Sequence, residues 1–192
     1  MTTHFYTSTI IQDVTPEHDH LAQPIINWDF NGPISENNYA SSKKPLYTIS
    51  GLWMEKYLSH TSELWCTGFN IPDEGLPVVG IEFSLNMKRF ARIEDLRIQL
   101  TLNNEQIGNN MASLIDPVQV NMYTGDNSPL LPVIGDSHIY GNSTDLWGTT
   151  GLTSTDIADP TFGIIISFRS NQVYPHRDFA EVNQIALRIT YG

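Results

Sequence analysis

"VVGIEFSLNMKR", Val78 to Arg89, alternates apolar and polar residues with a period of two. Val79, Ile81, Phe83, Leu85 and Met87 fall on one side, and Gly80, Glu82, Ser84, Asn86 and Lys88 on the other. Successive side chains of a strand point to opposite faces, so this stretch reads as a strand with one face on a core and one in water. "LRIQLTLN", Leu96 to Asn103, repeats the pattern: Leu96, Ile98, Leu100 and Leu102 inward, Arg97, Gln99 and Thr101 outward. The short polar "FARIED" between the two reads as a hairpin or corner.

The same alternation returns twice near the end of the chain. Phe162, Ile164, Ile166 and Phe168 alternate with Gly163, Ile165, Ser167 and Arg169; Ile185, Leu187, Ile189 and Tyr191 alternate with Ala186, Arg188 and Thr190. The polar stretch between them, Arg169 to Gln184, reads as a projecting loop. No apolar run at helical spacing exceeds about two turns, and Pro and Gly recur throughout. Short alternating strands separated by turn signals predict an all-β fold, an antiparallel β-sandwich of jelly-roll type.

A chain of 192 residues fits one domain carrying an arm. At this size roughly 70% of the unfolded chain's surface is buried on folding, enough for a core without metal or disulfide. Cys66 is the single cysteine, so an intrachain disulfide and a thiolate metal cluster are both excluded. Charged residues make up only 16%, leaving Asn, Gln, Ser and Thr to supply the polar surface. That composition suits surfaces that meet neighbours. The formal net charge of −11, with Lys43–Lys44 and Lys88–Arg89 the only adjacent bases, argues against a nucleic-acid partner.

Residues 1–24 read as an N-terminal arm and residues 25–192 as the sandwich domain. "YTSTIIQDV" suits an edge strand, followed by the polar "TPEHDHLAQP". Phe5, Tyr6, Ile10 and Ile11 are the expected anchors of the arm. The opening "MTTHFYTSTIIQDV" lacks a basic stretch followed by an apolar core, so a secretory leader is not expected. "GIIISF", the longest apolar run, falls far short of a membrane span. No membrane partner is expected.

Candidate chemistry is sparse. The Gly-x-Ser-x-Gly nucleophile turn is absent. His18 and His20, with Glu17 or Asp19, make half a zinc site at most. "TGDNSP", Thr124 to Pro129, together with Asp136 and Asp145, lacks the spacing of a calcium loop. Asp73–Glu74 and Glu94–Asp95 are neighbours in turn-like contexts and point apart, unlike the facing carboxylates of a glycosidase. The expectation is no catalytic residue, no cofactor and no metal. Trp53, Tyr57, Trp65, Tyr140 and Trp147 are possible platforms for a sugar ring, so a glycan partner stays open.

"STDLWGTTGLTSTDIADPTFGIIISF", Ser143 to Phe168, reads as structural. Asp145 can accept backbone N–H bonds and hold a turn. Trp147 can drop its ring over the sandwich edge with its indole N–H on a partner, and Gly148 permits the angle at which the chain departs. Thr153 to Asp156 resembles a capped single turn with Ile157 as its inward plug, stopped by Pro160.

The order of short motifs resembles a family of mostly uncharacterised β-sandwich proteins encoded with tailed-phage virion genes and sometimes found in bacterial surface proteins. The matching stretches are Tyr39–Ala40, "GFNIPDEG" at Gly68–Gly75, Gly80–Phe83, Asp145–Gly148, Phe162–Ile164 and Ile189–Tyr191. They span residues 28 to 192; the first 27 residues match nothing in the pattern. The resemblance implies a non-enzymatic virion component, most directly a capsid decoration protein, otherwise one of the tail, neck or fibres. Its expected partners are major capsid or tail and neck proteins and further copies of itself. The expectation from another class is a carbohydrate-binding β-sandwich module.

Overall fold

The computed structural model describes residues 5–14, 25–26, 28–35, 38–42, 60–90, 93–112, 133–170 and 179–192. They form thirteen strands and one short helix. In chain order the strands are β1 (Phe5–Thr7), β2 (Ile10–Val14), β3 (Ile25–Ile26), β4 (Trp28–Ser35), β5 (Asn38–Ser42), β6 (His60–Thr61) and β7 (Glu63–Thr67). Then follow β8 (Val78–Phe90), β9 (Ile93–Leu102), β10 (Glu105–Ile107), β11 (Val133–Asn142), helix α1 (Ser154–Ala158), β12 (Gly163–Ser170) and β13 (Phe179–Tyr191).

The strands make two sheets. The first, of six strands, has the order β11-β8-β13-β5-β4, with β1 also on β13. The second, of seven, has the order β10-β9-β12-β6-β3, with β7 on β12 and β2 on β7. Every described pairing is antiparallel except the two-residue contact of β3 with β6. Among the described residues no helix is long and apolar enough to cross a membrane.

The alternating stretches are the middle of each sheet. Ile81, Phe83 and Leu85 of β8 and Ile185, Leu187 and Ile189 of β13 face Leu64 and Cys66 of β7, Ile98 and Leu100 of β9 and Ile164, Ile166 and Phe168 of β12. All belong to one buried cluster drawn from both sheets, and that makes the architecture an all-β sandwich. Burying each such side chain contributes about 1.5–3 kcal/mol, which makes this double layer the main source of stability. Cys66 is fully buried within it, and burial pushes its thiol pKa up.

The first two alternating segments lie in different sheets. β8 belongs to the first sheet and β9 to the second, and only residues 91–92 separate them. The polar loop expected from Arg169 to Gln184 is shorter than that, because β12 runs to Ser170 and β13 begins at Phe179. Within that earlier part of β13 lies a register shift between Val182 and Gln184. One extra residue there reverses the alternation, so Val182 and Ile185 both face the core although three positions apart.

A second irregularity, between Ser167 and Phe168, has a larger consequence. Ser167 pairs with Arg97 and Phe168 with Asp95, leaving Leu96 as the extra residue on β9. Leu96, expected inward, is half-buried, while Asp95 is buried and accepts a hydrogen bond from the Tyr140 hydroxyl at 2.6 Å. At the other end of β8, Val78 takes the core position expected of Val79, beside a register shift at Thr190/Tyr191. Thr101, Ile165 and Ser167, expected to face solvent, are buried as well. β12 lies between β9 on one side and β6 and β7 on the other, and Ile165 is flanked in register by Trp65 and Gln99.

Phe83 and Phe168 are both fully buried, one from each sheet. Phe83→Ala and Phe168→Ala are each expected to lower the unfolding free energy by about 3–5 kcal/mol in urea titrations. Leu96→Ala, at the half-buried bulge, is expected to cost distinctly less than either.

Candidate functional site

Two features stand out as built rather than merely connecting. One is the corner around Trp147, the other the crossing of the N-terminal segment between the sheets.

At the corner, β11 ends at Asn142 and the chain turns sharply. Asp145 N donates to Asn142 O at 3.1 Å, and Trp147 N donates to Asp145 Oδ1 at 2.7 Å, an Asx turn. Ile81 N donates to Asp145 O at 2.9 Å, and the Trp147 indole Nε1 donates to Ile81 O at 2.9 Å. Both backbone groups of Ile81 in β8 are therefore taken by this one turn. On the other side, Asn109 N, just past β10, donates to Trp147 O at 2.6 Å. Trp147 is thus bonded to both sheets and has no exposed surface.

Its backbone sits at φ 57°, in the left-handed region, where a bulky residue costs about 1–2 kcal/mol. The three hydrogen bonds from its N–H, C=O and indole hold it there. Gly141, across from the indole, leaves room for it: a Cβ at Gly141 would stand 2.4 Å from Ile81 O and 2.5 Å from Trp147 Nε1. Gly148 follows Trp147 at φ +72° and lies against the Asn109 side chain. Asp145, Trp147 and Gly148 are therefore brought together. With its ring fully enclosed, Trp147 offers no platform to a sugar.

Seven residues on from Leu146, the chain after the corner is held by a further device. Thr153 caps α1, its hydroxyl accepting from Asp156 N while the Asp156 carboxylate accepts from Thr153 N, and Ile157 is buried beneath. The Asp73 carboxylate accepts hydrogen bonds from Ser154 Oγ, from Thr155 Oγ1 at 2.8 Å and from Gly75 N at 3.0 Å. The Ser154 bond foremost, then those from Gly75 and Thr155, keep the Asp73 carboxyl below the usual carboxylate range.

The N-terminal segment visits both sheets within ten residues. β1 pairs with β13 (Phe5 with Arg188, Tyr6 with Leu187, Thr7 with Ala186). β2 pairs with β7, from Ile10 opposite Thr67 to Val14 opposite Glu63. Ser8 and Thr9 make the joint: Ser8 Oγ donates to Thr67 O at 2.8 Å and Thr9 Oγ1 to Gly68 O at 2.6 Å. The four expected anchors split by face. Tyr6 and Ile11 pack against the core, whereas Phe5 and Ile10 stay 53% and 44% exposed. Phe5 lies 5.0 Å over the Arg188 guanidinium, and Arg188 in turn donates to both carboxylate oxygens of the buried Glu82.

The remaining candidates are scattered. Trp65 is half-buried, with its indole donating to Glu63 Oε2 at 3.0 Å, and Glu63 pairs with Arg97 at 3.0 Å. Tyr140 is buried and stacked on Phe83 at 5.7 Å. Trp53, Tyr57, Glu17 to His20 and Thr124 to Pro129 lie outside the described residues. Among the described residues no three His, Cys, Asp or Glu side chains group as metal ligands. Gly141, Asn109, the Asp95–Tyr140 bond and the Ser8–Thr9 joint went unseen in the sequence. All are contacts between distant segments, and only the Gly-Asn pair ahead of the Asp-Leu-Trp-Gly motif offered a local sign.

Comparison of the chain with protein-family models, curated proteins and solved structures finds no match.

Removing the indole by Trp147→Ala is expected to cost about 3–5 kcal/mol, and Asp145→Ala about 1–3 kcal/mol through the lost backbone bond. Gly141→Ala is expected to act like a partial loss of Trp147, since it displaces the ring; near-ultraviolet circular dichroism and urea midpoints read both effects.

Tyr191 supplies a pH test. Burial, then the nearby Tyr6, Glu74 and Asp73, push its pKa from 10.0 to about 12. The fold therefore favours the neutral phenol. That stabilisation is complete below the unfolded value and is lost as pH rises through the folded one, between pH 10 and about 12. Tyr191→Phe is expected to flatten the fall of the urea midpoint across this window.

Proposed function

We propose that this protein is a non-enzymatic structural component of a tailed-phage virion, acting as a capsid decoration or accessory protein. In this reading the sandwich is of jelly-roll type and residues 1–24 serve as its arm. The observation that carries the reading is the N-terminal crossing. Phe5 and Ile10 are large apolar side chains on edge strands, each about half exposed, in a chain with few charges. Such side chains at a sheet edge are suited to contact with a neighbouring subunit.

Two further points support it. The motifs behind the family resemblance coincide with built positions: the Asp-Leu-Trp-Gly corner, the Gly68 joint and the paired ends of β8 and β13. The polar side chains of the corner are spent on backbone bonds, which suits a mechanical role. Many weak contacts of this kind add up when copies are arrayed on a particle.

The test is quantitative mass spectrometry of purified particles from the source. Hundreds of copies per particle are expected for a decoration protein. A few to a few dozen would move the protein to the neck, tail or fibres. Absence from particles would overturn the virion reading.

A further inference from the structure

On the outer face of the second sheet an indole is held in a fixed pose among polar side chains that keep hydrogen-bonding capacity. β2, β7, β12 and β9 lie side by side in that order. Across them Gln12, Trp65, Ile165 and Gln99 are register partners. They point away from the core, which takes Ile11, Cys66, Ile164 and Leu100 from the same four strands. Adjacent strands stand about 4.8 Å apart, so this row is about 14 Å long.

The pose of Trp65 is set by a brace. Its Nε1 donates to Glu63 Oε2 at 3.0 Å, and Glu63 Oε1 lies 3.0 Å from Arg97 Nη1 on β9, two strands away. The brace crosses β12 at the level of Ser167, the register partner of Arg97. With its N–H committed to Glu63, the half-buried Trp65 has only the apolar surface of its ring to offer a ligand. Polar groups surround that ring. Gln12 is exposed on one side. On the other, Gln99 donates its Nε2 to Gly108 O at 2.8 Å, which leaves its Oε1 to accept. The Arg97 side chain is 32% exposed, and a guanidinium has more donors than the one turned to Glu63. Thr67, half-buried, lies two residues beyond Trp65 on the same face of β7.

We propose that Trp65 is the stacking platform of a site for an uncharged oligosaccharide, with Gln12, Thr67, Gln99 and Arg97 bonding its hydroxyls. A sugar ring has an apolar C–H face and a rim of hydroxyls that need both donors and acceptors, and this array supplies the complement of each. The charge balance selects the ligand further. Glu63 and Arg97 compensate each other, and between the levels of Thr67 and Glu63 the described outward side chains of these four strands hold no other ionised group. The chain as a whole carries a formal charge of −11, which repels an acidic glycan but not a neutral one. An amphipathic helix would need a broad apolar stripe, whereas here one indole is ringed by amides, a hydroxyl and a guanidinium. Binding at this face is separate from the virion reading and can succeed or fail without it.

The test is an array of immobilised neutral and acidic oligosaccharides probed with the full-length protein, followed by calorimetric titration of the best neutral binder. Binding to a neutral oligosaccharide is expected, weakened about tenfold or more by Trp65→Ala and less by Trp65→Phe, which keeps a ring. Gln12→Ala, a change at an exposed side chain, is expected to weaken it a few-fold while leaving the urea midpoint unchanged; it serves as the decisive variant if Trp65→Ala does not fold. Capture of no neutral oligosaccharide, capture of acidic ones alone, or neutral binding that Gln12→Ala and the folded Trp65 variants leave unchanged overturns the proposal.

Discussion

The hydrogen bond from the Trp147 indole to Ile81 O is the point on which the packing of the two sheets turns. Ile81 lies in β8, a central strand of the first sheet, and its N–H is held by the same turn through Asp145 O. The Trp147 carbonyl holds Asn109, at the exit of β10 in the second sheet. One residue thereby ties both layers together while filling the end of the core between them. The left-handed backbone of Trp147 is unfavourable in isolation and persists because the surroundings leave it no other arrangement.

The same logic of local irregularity serving long-range fit recurs in the strands. A regular pleat would put Asp95 and Arg97 on one face. The extra residue at Leu96 separates them, sending Asp95 inward to Tyr140 and leaving Arg97 outside with Glu63. Asp95 is then a buried carboxylate that bonds across the sandwich, from β9 in the second sheet to β11 in the first. Buried polar groups require such partners, and a bulge re-aims the side chain toward one.

At the opposite edge the sandwich is closed by a different device. Two short strands joined at Ser8 and Thr9 bridge β13 and β7, so the edges of both sheets are paired by one continuous segment. Its alternation leaves Tyr6 and Ile11 packed against the core and Phe5 and Ile10 outside. The arrangement covers the backbone of two strand edges yet presents apolar surface beyond them.

The alternation of Ile81–Leu85, Ile98–Leu100, Ile164–Phe168 and Ile185–Ile189 was legible in the sequence, and with it the class of fold and most of its core. The period of two is a local property, set by the backbone, and needs no knowledge of the partner strand. The turn chemistry of Asp145–Gly148 and the cap at Thr153 and Asp156 were legible for the same reason. Tertiary structure alone decided where the alternation breaks, at Leu96 and Asn183, since a bulge exists only relative to the strand opposite. It also decided that β12 is buried on both faces, Ile165 and Ser167 on one and Ile164 and Ile166 on the other, and that β1 and β2 belong to different sheets. Those outcomes depend on which segments meet across the fold, and nothing in the spacing of residues along one segment records its neighbour.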